Sequence, residues 1–152
     1  MLIVYFIISI AVIIIDQLVK MWTVANFALG ESMSVIPHLF SLTYLQNTGA
    51  AWSIFEGQMV FFTIITIIAV AVVCYLLVRF RRDSKFLEIG LSLILAGALG
   101  NFIDRLRLGY VVDMIQTDFI NFPIFNVADS SLVIGVVLIF IYILFDEKMK
   151  GK

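Results

Sequence analysis

The sequence predicts an all-α integral membrane protein with four transmembrane helices, and two observations lead to that prediction. The 152 residues are 62% hydrophobic and only 14% charged, with a mean hydropathy of +1.11, whereas soluble domains average about 25% charged residues. Four apolar stretches approach the length of about 20 residues that a helix needs to cross a bilayer. The stretches cover residues 2–24, 59–78, 86–103 and 128–145. We expect residues 1–152 to form a single membrane domain.

The first stretch is interrupted by Asp16 and Lys20. It lacks the basic start and the small-residue cleavage site of a signal peptide, so we expect a retained span. The second stretch carries no charge and is the clearest of the four. In the third, Gly97 and Gly100 would allow close packing against a neighbouring helix.

Basic residues predict the orientation of the spans. Seven of the ten Lys and Arg residues lie in "RFRRDSK", between the second and third spans, and in "DEKMKGK" at the end of the chain. Such residues favour the cytoplasmic side. We therefore expect both termini inside and the connections 25–58 and 104–128 outside.

The outer connections carry patterns of their own. The segment "LFSLTYLQ" favours a short strand because it mixes apolar, aromatic and Thr residues. Trp22, Tyr44 and Trp52 are predicted to lie in the headgroup layer. The segment "VVDMIQTDFINFPIF" is interpreted as an amphipathic patch near the membrane surface.

Three acids are predicted to share one depth in the membrane. With about 1.5 Å of rise per helical residue, Asp16, Asp104 and Asp129 lie roughly 23, 28 and 26 Å from the cytoplasmic ends of their spans. The hydrocarbon core is about 30 Å thick. All three carboxylates therefore belong near its outer edge.

Helical spacing groups these acids with other polar residues. Asp16 and Lys20 share one helix face, and Asn101, Asp104 and Arg105 share another. Asn126 and Asp129 form a third group, and Asp113 must remain near the same interface because it follows Asp104 by nine residues. Such groups also serve as structural contacts between helices.

Asp113 and Asp129 lack a cation at helical spacing. Two acids close together in a poorly solvated site share one proton, so one can activate a water while the other donates to a carbonyl oxygen. This is aspartyl peptidase chemistry, which needs no metal or other cofactor. Paired acids also occur in proton-coupled transporters, magnesium-dependent phospholipid enzymes and membrane scaffolds. A zinc site is disfavoured because the chain has one Cys and one His, and no basic patch predicts nucleic-acid binding.

Five segments resemble the bacterial lipoprotein signal peptidases, the type II signal peptidase family. They are "DQLVK" (16–20), "NTGAAWS" (47–53), "GNFIDR" (100–105), "VVDMI" (111–115) and "FNVADSS" (125–131). They occur in the family's order along the chain. The resemblance implies four transmembrane helices with a small extracytoplasmic β-containing cradle in the bacterial cytoplasmic membrane.

The resemblance also implies the reaction. A peptidase of this family removes the signal peptide of a diacylglyceryl-modified prolipoprotein just before the lipid-modified cysteine. By motif, the catalytic pair is Asp113 and Asp129. Asp104 competes with Asp113 by position, but it adjoins Arg105, which would favour its ionised form. The resemblance implies two further groups of site residues. Active-site and substrate-positioning roles fall to Asn47, Asn101, Arg105 and Asn126, and supporting polar roles fall to Asp16, Lys20 and Asp104. We expect a monomer that binds membrane lipid.

The orientation can be tested with reporter fusions. A reporter fused after Phe55 should lie outside the cell, and one fused after Arg82 should lie inside, because of the distribution of basic residues. Enzymatic reporters active on only one side of the membrane measure this. The same side for both fusions would refute the topology.

Overall fold

A computed structural model describes residues 2–49, 58–80 and 84–150, with the side chains of residues 59 and 146–150 left aside. Its elements are α1 (Leu2–Asn26), β1 (Ser32–Ile36), β2 (Phe40–Asn47), α2 (Met59–Arg79), α3 (Lys85–Leu108), β3 (Val111–Thr117) and α4 (Val127–Lys150). Each helix contains a segment long and apolar enough to cross a membrane. The four predicted spans are thus confirmed as helices.

The predicted spans are shorter than the observed helices, and the difference is largest at the end of the third span and of the fourth. The third span was predicted to end at residue 103, but α3 continues to Leu108. Gly109 ends it in the left-handed conformation, with φ of 81° and its N–H bonded to the Arg105 carbonyl oxygen at 3.1 Å. Hydropathy detects the apolar length, whereas a helix continues through charged residues until a terminating residue follows.

The two connections predicted to lie outside the cell form one antiparallel sheet in the order β1-β2-β3. The strand predicted in "LFSLTYLQ" is confirmed as β2. The sequence reasoning missed β1 and treated the segment containing β3 only as an amphipathic patch. That segment contains β3, whose first four residues are buried.

Tyr44 does not lie in the headgroup layer as predicted. It is only 5% exposed and packs with Val112 and Met114. Partly buried side chains, among them Val19 of α1, pack against this cluster. Trp22 is exposed, in keeping with an interfacial position, and Trp52 lies outside the described residues. Tyr44 therefore fastens the sheet to α1.

The buried face of α1 is polar along its whole length. Its buried residues are Tyr5, Ser9, Asp16, Lys20 and Thr23. The exposed face is apolar, which reverses the pattern of a helix in a soluble protein and suits contact with lipid. Ser9, for example, donates a hydrogen bond to the Ser92 carbonyl oxygen of α3 at 2.8 Å. Hydrogen bonds and ion pairs thus attach α1 to the bundle.

Glycines let α3 approach its neighbours closely, as predicted for Gly97 and Gly100. A Cβ atom added at Gly97 would lie 2.6 Å from Leu132 Cγ and 2.7 Å from Ser131 Oγ of α4. One added at Gly100 would lie 2.8 Å from Asp16 Oδ2 of α1. The start of α4 and the polar end of α1 therefore meet on the same part of α3.

Gly97→Ala should destabilise the protein by about 1–3 kcal/mol, because the added methyl overpacks the contact between α3 and α4. This loss is expected although Ala favours a helix by about 1 kcal/mol over Gly. Unfolding in detergent measures the change. Val136→Ile also adds a methylene, but at a side chain 57% exposed on α4, and serves as the control. Equal stability of both variants would contradict the close contact.

Candidate active site

Polar side chains from five elements meet where the sheet joins the helical bundle. The nine residues predicted for the site are Asp16 and Lys20 from α1, Asn47 from β2, Asn101, Asp104 and Arg105 from α3, Asp113 from β3, and Asn126 and Asp129 at the start of α4. Hydrogen bonds or ion pairs link all of them except Arg105, which lines the same cavity as four of the others. The structure thus brings the predicted residues together.

Asp129 belongs to a reciprocal cap at the N-terminus of α4. Its backbone N–H donates to Asn126 Oδ1 at 2.9 Å, and its Oδ2 accepts from the Asn126 N–H at 3.2 Å. This is a capping box, which satisfies N–H groups that a helix start would leave unpaired. The helix N-terminus also favours negative charge. Asp129 therefore caps the first turn of α4, and the same hydrogen bonds hold its carboxylate in a fixed position.

Asp113 lies on β3 and is only 1% exposed. Its Oδ2 accepts from Asn47 Nδ2 at 2.9 Å and its Oδ1 from Asn126 Nδ2 at 2.7 Å. Burial raises the pKa of Asp113 to about 7, and the charge of Asp129 adds to this effect, while the two amides and Lys20 oppose it. A carboxyl group that still holds its proton near neutral pH can donate it.

Two amides connect the acids. Asn126 is completely buried, and its Nδ2 reaches both Asp113 and, at 3.0 Å, Asn101 Oδ1. Asn101 Nδ2 in turn donates to Asp129 Oδ1 at 2.7 Å. Every carboxylate oxygen of the pair therefore accepts a hydrogen bond from a fixed N–H group.

Behind the amides lies a buried cluster around Lys20. Its Nζ lies 3.0 Å from Asp16 Oδ2, 2.8 Å from Asp104 Oδ2 and 3.0 Å from Asn101 Oδ1. The expected partner of Asp104 was Arg105, its neighbour in sequence, and this was wrong. Successive residues of a helix point in different directions, so the cation on a neighbouring helix reaches Asp104 instead.

Asp104 also fixes the strand that carries Asp113, since its Oδ2 accepts from the Val112 N–H at 3.1 Å. Sequence reasoning missed Gln17, which donates to Asp104 Oδ1 at 2.9 Å and to the Gly100 carbonyl oxygen at 3.3 Å. The available signal was an uncharged polar residue inside an apolar span. The hydrogen bonds of Gln17 therefore link α1 to α3 beside Asp104.

Asp113 and Asp129 open onto one cavity of about 640 Å³. One part of its lining is polar and includes Asn47, Asn101 and Arg105. The other part is apolar and consists of Phe122, Pro123, Ile124, Phe125, Leu132, Val133 and Ile134. Leu132, Val133 and Ile134 of α4 supply one side of this apolar part. The contribution of residues 122–125 was not foreseen.

Arg105 is held at the edge of this cavity. Its Nη2 donates to the Gly49 carbonyl oxygen at 3.1 Å, and its Cζ lies 4.5 Å from the centroid of the Phe62 ring of α2. The guanidinium group is thus oriented by a cation–π contact and a backbone carbonyl.

Within residues 2–49, 58–80 and 84–150, no group of three or more His, Cys, Asp or Glu side chains is arranged to hold a metal ion.

A comparison with protein families gives a match to the family described as signal peptidase (SPase) II, over residues 8–145. The chain belongs to the signal peptidase II family. The resemblance seen in the five sequence segments is thereby confirmed. Family membership and four apolar helices together make it a multi-pass bacterial membrane protein.

Relatives in this family match almost the whole chain. A lipoprotein signal peptidase of Enterococcus faecalis is 59% identical over 97% of this chain and 92% of its own. One from Latilactobacillus sakei is 57% identical over 95% of this chain and 96% of its own. A bacterial membrane enzyme solved at 2.3 Å resolution has a TM-score of 0.92 and 44% identity, covering 98% of this chain and 92% of that chain. The chain therefore shares its fold with that membrane enzyme.

The raised pKa of Asp113 predicts how stability depends on pH. The folded protein keeps the proton on Asp113 up to about pH 7, whereas an unfolded chain releases it near the ordinary value of 3.8. This contribution to stability is therefore fully present below about pH 4 and is lost as the pH rises through about 7. At about 1.4 kcal/mol per pKa unit, the loss amounts to a few kcal/mol.

In Asp113→Asn this loss should disappear, so stability should fall less between pH 4 and 7 than in the wild type. Unfolding in detergent across that range measures the slope. Val111→Ala alters a buried neighbour on the same strand but keeps the acid, and it should retain the wild-type slope. A wild-type slope in Asp113→Asn would mean that folding does not raise the pKa of Asp113.

Proposed function

We propose that this chain is an aspartyl endopeptidase which removes the signal peptide from diacylglyceryl-modified prolipoproteins, cleaving just before the lipid-modified cysteine. The observation that carries the proposal is that Asp113 and Asp129, from separate elements, line one cavity with an apolar wall. Membership of the signal peptidase II family and relatives named lipoprotein signal peptidase support the substrate class.

The reaction uses the two acids as a pair. The ionised carboxylate takes a proton from water, which attacks the carbonyl carbon of the scissile bond, while the protonated acid donates to the carbonyl oxygen. Collapse of the tetrahedral intermediate then breaks the C–N bond, and a proton passes from the pair to the leaving amine. The raised pKa of Asp113 makes it the proton donor in the first step. Asp129, capped into the start of α4, is the base.

Asp104 is the weaker candidate for the second acid. It is ion-paired with Lys20 at 2.8 Å and accepts the Val112 N–H, so its oxygens are engaged away from the cavity. Among the described residues, the cavity lining includes Asp113 and Asp129 but not Asp104. Asp104, Asp16 and Lys20 therefore act as supporting residues.

The polar and apolar parts of the cavity lining bind different parts of the substrate. Arg105 and Asn47 offer N–H donors to the peptide near the acids, and the apolar wall from residues 122–125 and α4 accommodates acyl chains. Both termini lie in the cytoplasm, the acids lie near the outer leaflet, and the enzyme acts as a monomer without a cofactor. A lipid-anchored substrate holds its cleavage site at this depth, which is why the enzyme carries acids there.

Asp113→Asn and Asp129→Asn should each abolish cleavage while leaving a folded protein, because an amide can neither act as the base nor share the proton. The double variant should be no less active than either single one, since the two acids act as one unit. Mass analysis of a purified lipidated prolipoprotein after incubation with each variant measures this.

Asp104→Asn tests whether Asp113 or Asp104 is the catalytic partner of Asp129. Substantial turnover by Asp113→Asn together with an inactive, folded Asp104→Asn would transfer the second catalytic role to Asp104. Turnover by Asp129→Asn at wild-type protein levels would overturn the whole pair.

Activity should survive EDTA and depend strongly on the diacylglyceryl group. Each buried CH₂ contributes about 0.8 kcal/mol, so partial burial of two acyl chains outweighs peptide contacts. The lipid also holds the scissile bond beside the acids, so its loss should lower both rate and affinity. Cleavage assays in detergent on matched substrates with and without the lipid, each with and without EDTA, measure both effects.

Two outcomes would change the proposal. Loss of activity in EDTA that added Mg²⁺ or Zn²⁺ restores would indicate a metalloenzyme. Equal cleavage of the unlipidated substrate would remove the reason for placing the acids at this depth.

A further inference from the structure

The orientation of the Asn101 side-chain amide decides whether Asp129 faces a hydrogen-bond donor or an oxygen atom. The two ends of an amide have nearly the same shape, but one accepts hydrogen bonds and the other donates them. Asn101 Oδ1 accepts from Lys20 Nζ at 3.0 Å and from Asn126 Nδ2 at 3.0 Å, while its Nδ2 donates to Asp129 Oδ1 at 2.7 Å. Rotating the amide by half a turn would place donors against donors and an oxygen against the Asp129 carboxylate.

Lys20 imposes this orientation because it can only donate. Asp16 Oδ2 and Asp104 Oδ2 engage two of its hydrogens, and Asn101 Oδ1 receives the third. The residue is 3% exposed and is not part of the described lining of the cavity. Any effect of Lys20 on the reaction must therefore pass through its neighbours.

We propose that Lys20 is a positioning residue, which holds the Asn101 amide so that it donates to Asp129 and keeps that carboxylate aimed into the cavity. This inference rests on the proposed role of Asp129. Asn126 also donates to Asn101 Oδ1, but it is an amide that could itself rotate, whereas an ammonium group offers donors in every direction. Lys20 thus fixes the chain of amides that reaches both acids.

The proposal makes Lys20 and Asn101 a single unit in kinetics. Lys20→Met keeps the length and the apolar stem but removes the donor. It should lower kcat at least tenfold and change KM less than threefold, since Lys20 does not line the cavity. Asn101→Ala should also lower kcat, and adding Lys20→Met to it should cost less than twofold more, because no amide remains to orient.

Ser9→Ala is the matched control. Ser9 is an equally buried residue of α1 that bonds to α3 at 2.8 Å and lies about three helical turns before Lys20. It should retain wild-type kcat. A loss in Ser9→Ala as large as that in Lys20→Met would show that docking of α1, and not the amide, limits activity. Multiplying losses in the double variant with Asn101→Ala would also overturn the proposal.

Removing one buried cation can prevent folding, because it leaves Asp16 and Asp104 unpaired. Lys20→Met combined with Asp104→Asn keeps the net charge of this cluster, and Asp104→Asn alone is its reference. The same loss of kcat relative to that reference is expected. An unchanged kcat in the charge-conserving variant would overturn the proposal.

A second readout does not depend on cleavage and so separates this inference from the proposed function. The side-chain amide signal of Asn101 in ¹⁵N-labelled protein can be assigned by its disappearance in Asn101→Ala. Lys20→Met, or the charge-conserving variant, should shift that signal as the bond to the Asp129 carboxylate is lost, and Ser9→Ala should not. An unshifted signal would overturn the positioning role even in an active enzyme. An inactive wild type with the expected shift would overturn only the proposed function.

Discussion

The ion pairs and hydrogen bond of the buried Lys20 ammonium group hold together the end of the bundle that carries the sheet. A charge in a poorly solvated interior must be paired and hydrogen-bonded, and breaking a buried pair typically costs about 3–5 kcal/mol. Lys20 meets this requirement with two carboxylates and one amide oxygen. Its partners then bind further elements. Asp16 Oδ1 accepts the Ala128 N–H at the start of α4, and Asp104 accepts the Val112 N–H on β3.

The same cluster explains why α1 can have a polar buried face. In lipid, apolar side chains gain little by facing another helix, so close packing and polar contacts hold helices together. Ser9 contacts the Ser92 carbonyl oxygen in the first half of α1, and Asp16 and Lys20 contact α4 and α3 in its second half. The glycines of α3 bring the backbones close enough for these short bonds. Polar contacts are therefore both the attachment of α1 and the support of the candidate site.

Sequence patterns predicted the helices well because a span needs a long apolar run, which hydropathy detects directly. They predicted the site residues through motifs, and the structure brings those residues together. They failed for β1, whose five residues are all exposed and show no alternation between buried and exposed positions. They also failed for the partner of Asp104, because pairing between α1 and α3 depends on which helix faces are turned towards each other. The position of Tyr44 depends on the sheet, which no local pattern in the sequence revealed.

The sheet matters for chemistry because it brings Asp113 to an acid that belongs to a helix. Gly109 ends α3 and turns the chain, so β3 begins two residues later and runs beside the polar end of the helix. Asp129 is fixed by the cap of α4, while Asp113 is fixed by side-chain amides from β2 and from the residue preceding α4. The two carboxyl groups thus have different surroundings although they share one cavity. The proposed reaction depends on this difference, because it requires one protonated and one ionised acid in the same cavity.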